Sequence, residues 1–596
     1  MPAACVAGSR KHLTVVGPGA ITPQPILRRG RGVTIAAVSI ARKKRAASQI
    51  IVPAIGVILG IALIAGPFVA TILRSVSVPT KGGSVLSLSH FIALFGDHRF
   101  YDAVGNTLLY GFSAAILSCL MGSVLAWIVT RTDIPGCGMF EVLNLVPFFL
   151  SPYVGAVSWI YLLAPHSGIL RSSIFTPLGL PPDFIDIYSI GGVIWVLSLF
   201  YTPYVYLFLL GPMRHMDPAL EDAARVHGAS FRETLRRITL PLLAPALLSG
   251  ALIVFITSAG LFDVPLALAA PKGIRTIPTE IYGLLQYPAD YGRASAFGTV
   301  VMVATIILTI EQRRFLSRRR FDTVTGKGYR PRAVRLRPLG RNCAFLIELL
   351  YVGCSVILPV MALLMVSFSS IWTGALNTKA LTLHNYSYVL FDYDLTRTAL
   401  QNSVILAVTG ATIGVVLAVL QADYLRRGRG RMHTVIDALL SVPLGIPGII
   451  LGLGFLILFI KTPLYATLWI ILIAYVARFF PFATRGISAL YLSINPELEQ
   501  SARASGGSWA QTMWWIVLPL VRPAIIAAWL MLFVIFIREL GATILLYAQG
   551  TETISVALII LSERSFGYVA ALAVIQLILL LMAFALFRAT RSSIVQ

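Results

Sequence analysis

Asp217-Pro218-Ala219-Leu220-Glu221-Asp222-Ala223-Ala224-Arg225, then Gly228, then Ile238-Thr239-Leu240-Pro241, returns 278 residues later. The second copy reads Asn495-Pro496-Glu497-Leu498-Glu499-Gln500-Ser501-Ala502-Arg503, Gly506 and Ile516-Val517-Leu518-Pro519. From Pro218 to Pro245, thirteen of 28 positions carry the identical residue at that offset, without a gap. A repeat of this kind decides architecture before any single element does. The chain is two related halves, each with one copy of the same segment. Beyond it, Asn106, Glu141 and Pro147 answer to Asn402, Asp437 and Pro443 at an offset of 296. The difference of 18 residues locates an insertion at 164–189, where the second half has only about 461–465.

The solvent of this chain is lipid. Hydrophobic residues make up 57% and charged residues 12% of its 596 residues, roughly half the charge of a soluble domain. Apolar runs long enough to cross ~30 Å of hydrocarbon as helices recur throughout. They are expected near 50–73, 103–130, 139–163, 190–212, 240–267 and 293–311, and near 343–368, 398–424, 433–460, 466–484, 516–545 and 565–588. With a cytoplasmic N-terminus, Lys and Arg divide 35 inside to 10 outside, which puts both repeated segments in the cytoplasm. The +23 net charge therefore belongs to juxtamembrane loops and not to a nucleic-acid surface. The expected organisation is a basic, irregular tail over 1–49, a six-span half over 50–311, an Arg-rich linker over 312–342 and a second half over 343–596. The tail ends on Arg42-Lys43-Lys44-Arg45 without a small-residue cleavage site after a short apolar core, so an uncleaved anchor is expected. The fold class is an all-α membrane protein.

The repeated segment has a mechanical reading. Residues 217–228 form a short amphipathic helix with acids in its first turn, stopped by Gly228. A second helix starts near Ser230 and runs through Pro241 into the fifth span. A helix–Gly–helix elbow continuous with a spanning helix can pass a push from a cytoplasmic partner into the membrane.

Its pattern, Glu-Ala-Ala, three residues, Gly, nine residues, Ile-x-Leu-Pro, resembles the signature loop of permease subunits of ATP-binding-cassette importers. Asp222-Ala223-Ala224 and Gln500-Ser501-Ala502 stand where the family has Glu-Ala-Ala. The resemblance covers both halves and implies the type I importer permease fold in a prokaryotic inner membrane, with both termini cytoplasmic. It implies two ATPase subunits below, one extracytoplasmic binding protein above, and ATP with magnesium held by the ATPase. Contact with the ATPase would fall to Glu221, Asp222, Ala223, Ala224 and Gly228, and to Glu499, Gln500, Ser501, Ala502 and Gly506. This chain has no GxxxxGK[ST], HExxH or GxSxG motif, so no catalytic role is expected.

Fused double permeases of this layout resemble the ferric-iron branch, on Thr323–Pro331 and Glu539-Leu540-Gly541-Ala542-Thr543. Relatives of that branch carry thiamine, polyamines, sulfate or phosphonates. Asp263 and Glu539, near the outer ends of repeat-related spans, are candidates for the translocation path, because an intramembrane carboxylate faces a partner or a watery cavity. The competing reading pairs each with a helix end or with Arg538. His166, His215, His227 and Met216 are scattered, and the five cysteines lack CxxC spacing, so no metal site is expected. A twelve-helix secondary transporter would match the basic Arg426–Arg431 run, but it leaves the paired elbows unexplained.

Overall fold

The computed structural model describes residues 31–81, 83–181, 184–318, 336–374, 381–428 and 430–595. The chain divides into Met1–Ile51 and a body of Val52–Gln596, in which the contacts and sites below lie. Helix already begins at Arg31, so the later part of the expected irregular tail is helical. Residues 1–30 and most of the expected linker, 319–335, lie outside the described residues.

The first half runs α1 (Arg31–Val76), α2 (His98–Arg131), α3 (Cys137–Leu143), α4 (Pro152–Leu163), α5 (Ile190–His215), α6 (Pro218–Val226), α7 (Leu240–Ala259), α8 (Asp263–Leu268) and α9 (Tyr291–Arg318). The second half runs α10 (Pro338–Val352), α11 (Leu358–Ser367), α12 (Asp394–Arg427), α13 (Arg431–Ser441), α14 (Gly448–Phe459), α15 (Leu468–Leu492), α16 (Pro496–Ala504), α17 (Leu518–Ile537), α18 (Thr543–Leu546) and α19 (Phe566–Val595). Among the described residues, ten helices are long and apolar enough to cross a membrane, or twelve if two bent pairs each count as one span. The repeat is visible in the backbone: α2 and α12 are both 34 residues long and begin 296 positions apart.

The two bent pairs stand where straight spans over 139–163 and 433–460 are expected. Cys137–Phe149 meets α4 at 99°, and Arg431–Gly445 meets α14 at 105°. Pro147 with Pro152, and Pro443 with Pro447, explain the breaks: each lacks the N–H a continuing helix needs, and its ring crowds the carbonyl four residues back.

The halves exchange their first helices. The Val52–Val76 part of α1 packs on the second half, where Gly454 leaves no space for a side chain: its Cβ would lie 2.5 Å from the Pro67 carbonyl oxygen. In return α10 packs on the first half. Tyr351 donates to the Leu199 carbonyl (3.1 Å), and Asn144, at the first break, donates to the buried Glu348 (2.9 Å). Small residues at one crossing and a buried polar pair at the other are the usual means of joining helices in lipid.

Asn106 and Asn402, matched in the sequence, do matching work. Asn106 donates to the Arg275 carbonyl (2.9 Å), and Asn402 to the carbonyls of Gly550 and Glu552 (3.1 and 2.9 Å). Their neighbours Thr107 and Ser403 accept from the N–H of Ile277 and Ile554 (2.9 and 2.8 Å). Each pair pins the loop that returns the chain from α8 or α18 to the last span of its half. A two-stranded hairpin, Ser77–Thr80 with Gly83–Leu86, follows α1.

Candidate functional site

Both repeated segments fold as the expected elbow. Asp217 and Asn495 start α6 and α16 by accepting the N–H of Ala219 (2.9 Å) and Glu497 (3.0 Å). Gly228 and Gly506 end them at φ +81° and +87°, a region an L side chain enters only with strain. The next helix is opened by a reciprocal capping box, Ser230 with Glu233 in one elbow and Ser508 with Gln511 in the other. A single π turn follows, Leu235–Thr239 or Met513–Val517, directly before the Leu-Pro that opens α7 or α17. The missing N–H of Pro241 and Pro519 accounts for the widened turn.

The structure sorts the expected ATPase-contact residues into two sets. Asp222, Ala223 and Gly228 are exposed on the first elbow, as are Gln500, Ser501 and Gly506 on the second, with Ala224 and Ala502 half-buried. Glu221 and Glu499 instead turn inward. Glu221 accepts from Thr239 at the base of α7 (2.9 Å) and lies 3.8 Å from Arg131, the last residue of α2. Glu499 is 1% exposed and pairs with Arg426, with Arg503 (3.0 Å) and, at 3.9 Å, with Arg427, the last residue of α12. Arg131 and Arg427 are repeat mates at the 296 offset. The glutamate of each elbow therefore clamps it to the second long helix of its half, Glu499 fully buried and Glu221 half-buried. Arg426 and Arg427, which by sequence could pass for the basic loop of a carrier, are part of that clamp.

The central carboxylates do meet. A cavity of about 130 Å³ between the halves is lined by Asp263, Glu539, Arg478, Arg538, Tyr201 and Thr257, among others. Asp263 opens the short helix α8 and Glu539 follows α17, so both sit just past the ends of their spans and not inside them. Glu539 is paired with Arg478 of α15 and accepts the N–H of Ala542 (3.0 Å). Its partner is thus Arg478, and not the neighbouring Arg538 of the competing reading. Gly448 at the second break makes room for that pair: a Cβ there would stand 3.0 Å from the Glu539 carboxylate. Asp263, 4% exposed, has no ion pair within 4.0 Å among the described residues. Tyr204, Ile256, Thr257 and Phe482 also line a second cavity of about 450 Å³, which reaches Asp437 and Arg485 towards the elbows.

The model of a known family, the binding-protein-dependent transport system inner membrane component, matches the chain twice, at residues 114–321 and 410–594. The chain belongs to this family. It is a fused double permease of an ATP-binding-cassette importer. It is 26% identical over 518 residues to the ferric transport system permease protein FbpB of Actinobacillus pleuropneumoniae, covering 85% of this chain and 73% of that one. It is 23% identical over 499 residues to the Fe(3+)-transport system permease protein FbpB 2 of Haemophilus influenzae, covering 82% and 88%. To the sulfate transport system permease protein CysT of Salmonella typhimurium it is 26% identical over 226 residues, covering 35% and 77%.

Several working residues of the permease escape sequence reading. Arg131 and Arg427 carry a signal, since they repeat at the offset that also matches Asn106 with Asn402. Asp423 carries no repeat signal, only that of a carboxylate inside an expected span. Wholly buried near the end of α12, it accepts from Tyr491 (2.7 Å) and Trp509 (2.9 Å) and pairs with Arg427 (2.7 Å). Its repeat mate is Trp127, so the comparison of halves hides it.

Proposed function

We propose that this permease forms the translocation path of an ATP-driven importer of ferric iron in a prokaryotic inner membrane. Its elbows face the cytoplasm, as do both termini. The single observation that carries the iron reading is coverage: three ferric permeases align over three-quarters of the chain or more, the sulfate permease over about a third. The cavity chemistry supports it. Both guanidinium groups there are engaged, Arg478 by Glu539 and Arg538 by backbone carbonyls, whereas among the described residues the carboxylate of Asp263 has no counter-charge in contact. Hard cations take carboxylate oxygen, and Asp263 with Glu539 would meet the cargo in passage.

In this reading the domains are the tail 1–49, the halves 50–311 and 343–596, and the linker 312–342. Two ATPase subunits, which hold the ATP and magnesium, dock on the exposed faces around Asp222-Ala223 and Gln500-Ser501. One binding protein delivers cargo from the opposite side. Closure of the ATPase pair draws the elbows together; the Glu221 clamp moves α2 and α7, the Glu499 clamp moves α12, and α17 follows as the continuation of its elbow. The cavity then alternates between the two faces.

The test is uptake of radiolabelled ferric iron in cells with and without the gene, with thiamine, putrescine, sulfate and aminoethylphosphonate as competitors. Loss of iron uptake alone is the expected result. Intact iron uptake with loss of another cargo would keep the importer and discard iron.

A further inference from the structure

Arg538 stands at the end of α17 and reaches across the boundary between the halves. Its Nη1 donates to the carbonyl oxygens of Phe148 (2.5 Å) and Leu150 (3.2 Å), at the break before α4, and its guanidinium lies over the Phe148 ring at 5.3 Å. The break explains why a donor is needed. The Phe148 carbonyl would bond the N–H four residues on, but that residue is Pro152 and has none. A charged donor in a dry site is a strong partner for such an oxygen.

The other half closes the same seam differently. Gly260 is the repeat mate of Arg538, and it packs directly on Pro447 at the second break, where its Cβ would lie 3.3 Å from two Pro447 atoms. Gly448, the counterpart of Pro152, restores an N–H at that position. One side of the seam is a packed contact and the other is a set of hydrogen bonds that can be broken and remade.

Both contacts lie at the ends of α7 and α17 remote from the elbows, whereas the larger cavity opens from Tyr204 and Thr257 towards the elbows. We propose that Arg538 is the latch of the gate on the far side: its bonds to Phe148 and Leu150 hold the cavity shut there, and opening to that side requires their release. Two packed arrangements related by one exchangeable set of bonds are what a discrete gate needs. The proposal rests on the alternating-access reading above but not on the identity of the cargo.

The test uses the full importer in cells, with its cysteines replaced and Thr257→Cys as the reporter, because Thr257 lines both cavities. A membrane-impermeant maleimide is applied from outside to intact cells and, separately, to inverted vesicles. Without cargo, the parent should label from the elbow side and stay protected from outside. Arg538→Gln should label from outside about tenfold faster, the factor for losing roughly one charge-assisted hydrogen bond. Arg538→Lys, which keeps the charge but not the fork, should fall between. An outside rate for Arg538→Gln equal to the parent overturns the latch. If that variant does not assemble, an Arg538→Lys rate equal to the parent overturns it instead. Absence of elbow-side labelling in the parent would instead sink the alternating-access reading, and either result leaves the iron question to the uptake assay.

Discussion

The two elbows share a backbone and differ in what fixes them. In the second, Glu499 is buried among Arg426, Arg427 and Arg503, and Arg427 is shared with the buried Asp423, itself bonded by Tyr491 and Trp509. In the first, among the described residues, Glu221 has one hydrogen bond and one longer ion pair, and Trp127 and Met213 stand at the positions of Asp423 and Tyr491. That side keeps an apolar groove of about 360 Å³ lined by Trp127, Met213 and Leu235. Duplication has kept the lever and changed its mounting: among the described residues, a charged network that includes the buried Asp423 on one side, and an apolar seat beside the Glu221 clamp on the other. A buried network holds one geometry and is costly to break in part. The second elbow is therefore the stiffer transmitter.

The largest effect is expected from removing the charge at the heart of the stiffer mounting. Glu499→Gln leaves Arg426 and Arg427 facing a neutral amide and should cost about 3–5 kcal/mol. Glu221→Gln should cost about 1 kcal/mol, since one hydrogen bond can survive and the ion pair is long. Thermal unfolding of the purified importer with each variant measures the order, and equal losses would break the comparison.

A smaller and equal effect is expected at the hinges, where the two elbows do not differ. Gly228→Ala and Gly506→Ala place a Cβ on backbone at φ +81° and +87°, costing about 1–2 kcal/mol each. Transport per ATP hydrolysed should fall in both, while hydrolysis persists. Unchanged coupling in both would mean the turn's geometry carries no load.

The smallest effect on stability belongs to the exposed faces. Asp222→Ala and Gln500→Ala should change stability by less than about 0.5 kcal/mol. Both should weaken co-purification of the ATPase, Asp222→Ala the more because it removes a charge. A large stability loss with normal ATPase binding would show these faces to be structural.

Much of this was legible from local pattern. The elbow's boundaries followed from Pro218, Gly228, Ser230 and Pro241, since caps, a left-handed glycine and a missing N–H act over a few residues. Apolar length gave the spans, and the repeat put Asp263 and Glu539 at similar places, though their meeting in one cavity is a matter of packing. The breaks at Leu150 and Ile446 were less legible, because prolines are tolerated inside other spans here, at Pro203 and Pro481. Whether a proline bends a helix or ends it depends on which neighbour satisfies the freed carbonyl.

By itself the sequence determined that this protein is a duplicated, helical membrane permease with two hinged levers, because hydropathy, turn chemistry and an exact offset are properties of the chain. Only the tertiary structure decided which glutamates face inward, that Arg478 and not Arg538 neutralises Glu539, and that Arg538 crosses to the other half. Those pairings join residues tens to hundreds of positions apart. Charges in lipid take whichever counter-charge or free carbonyl the packing brings within about 3 Å, and packing is not written in any local stretch.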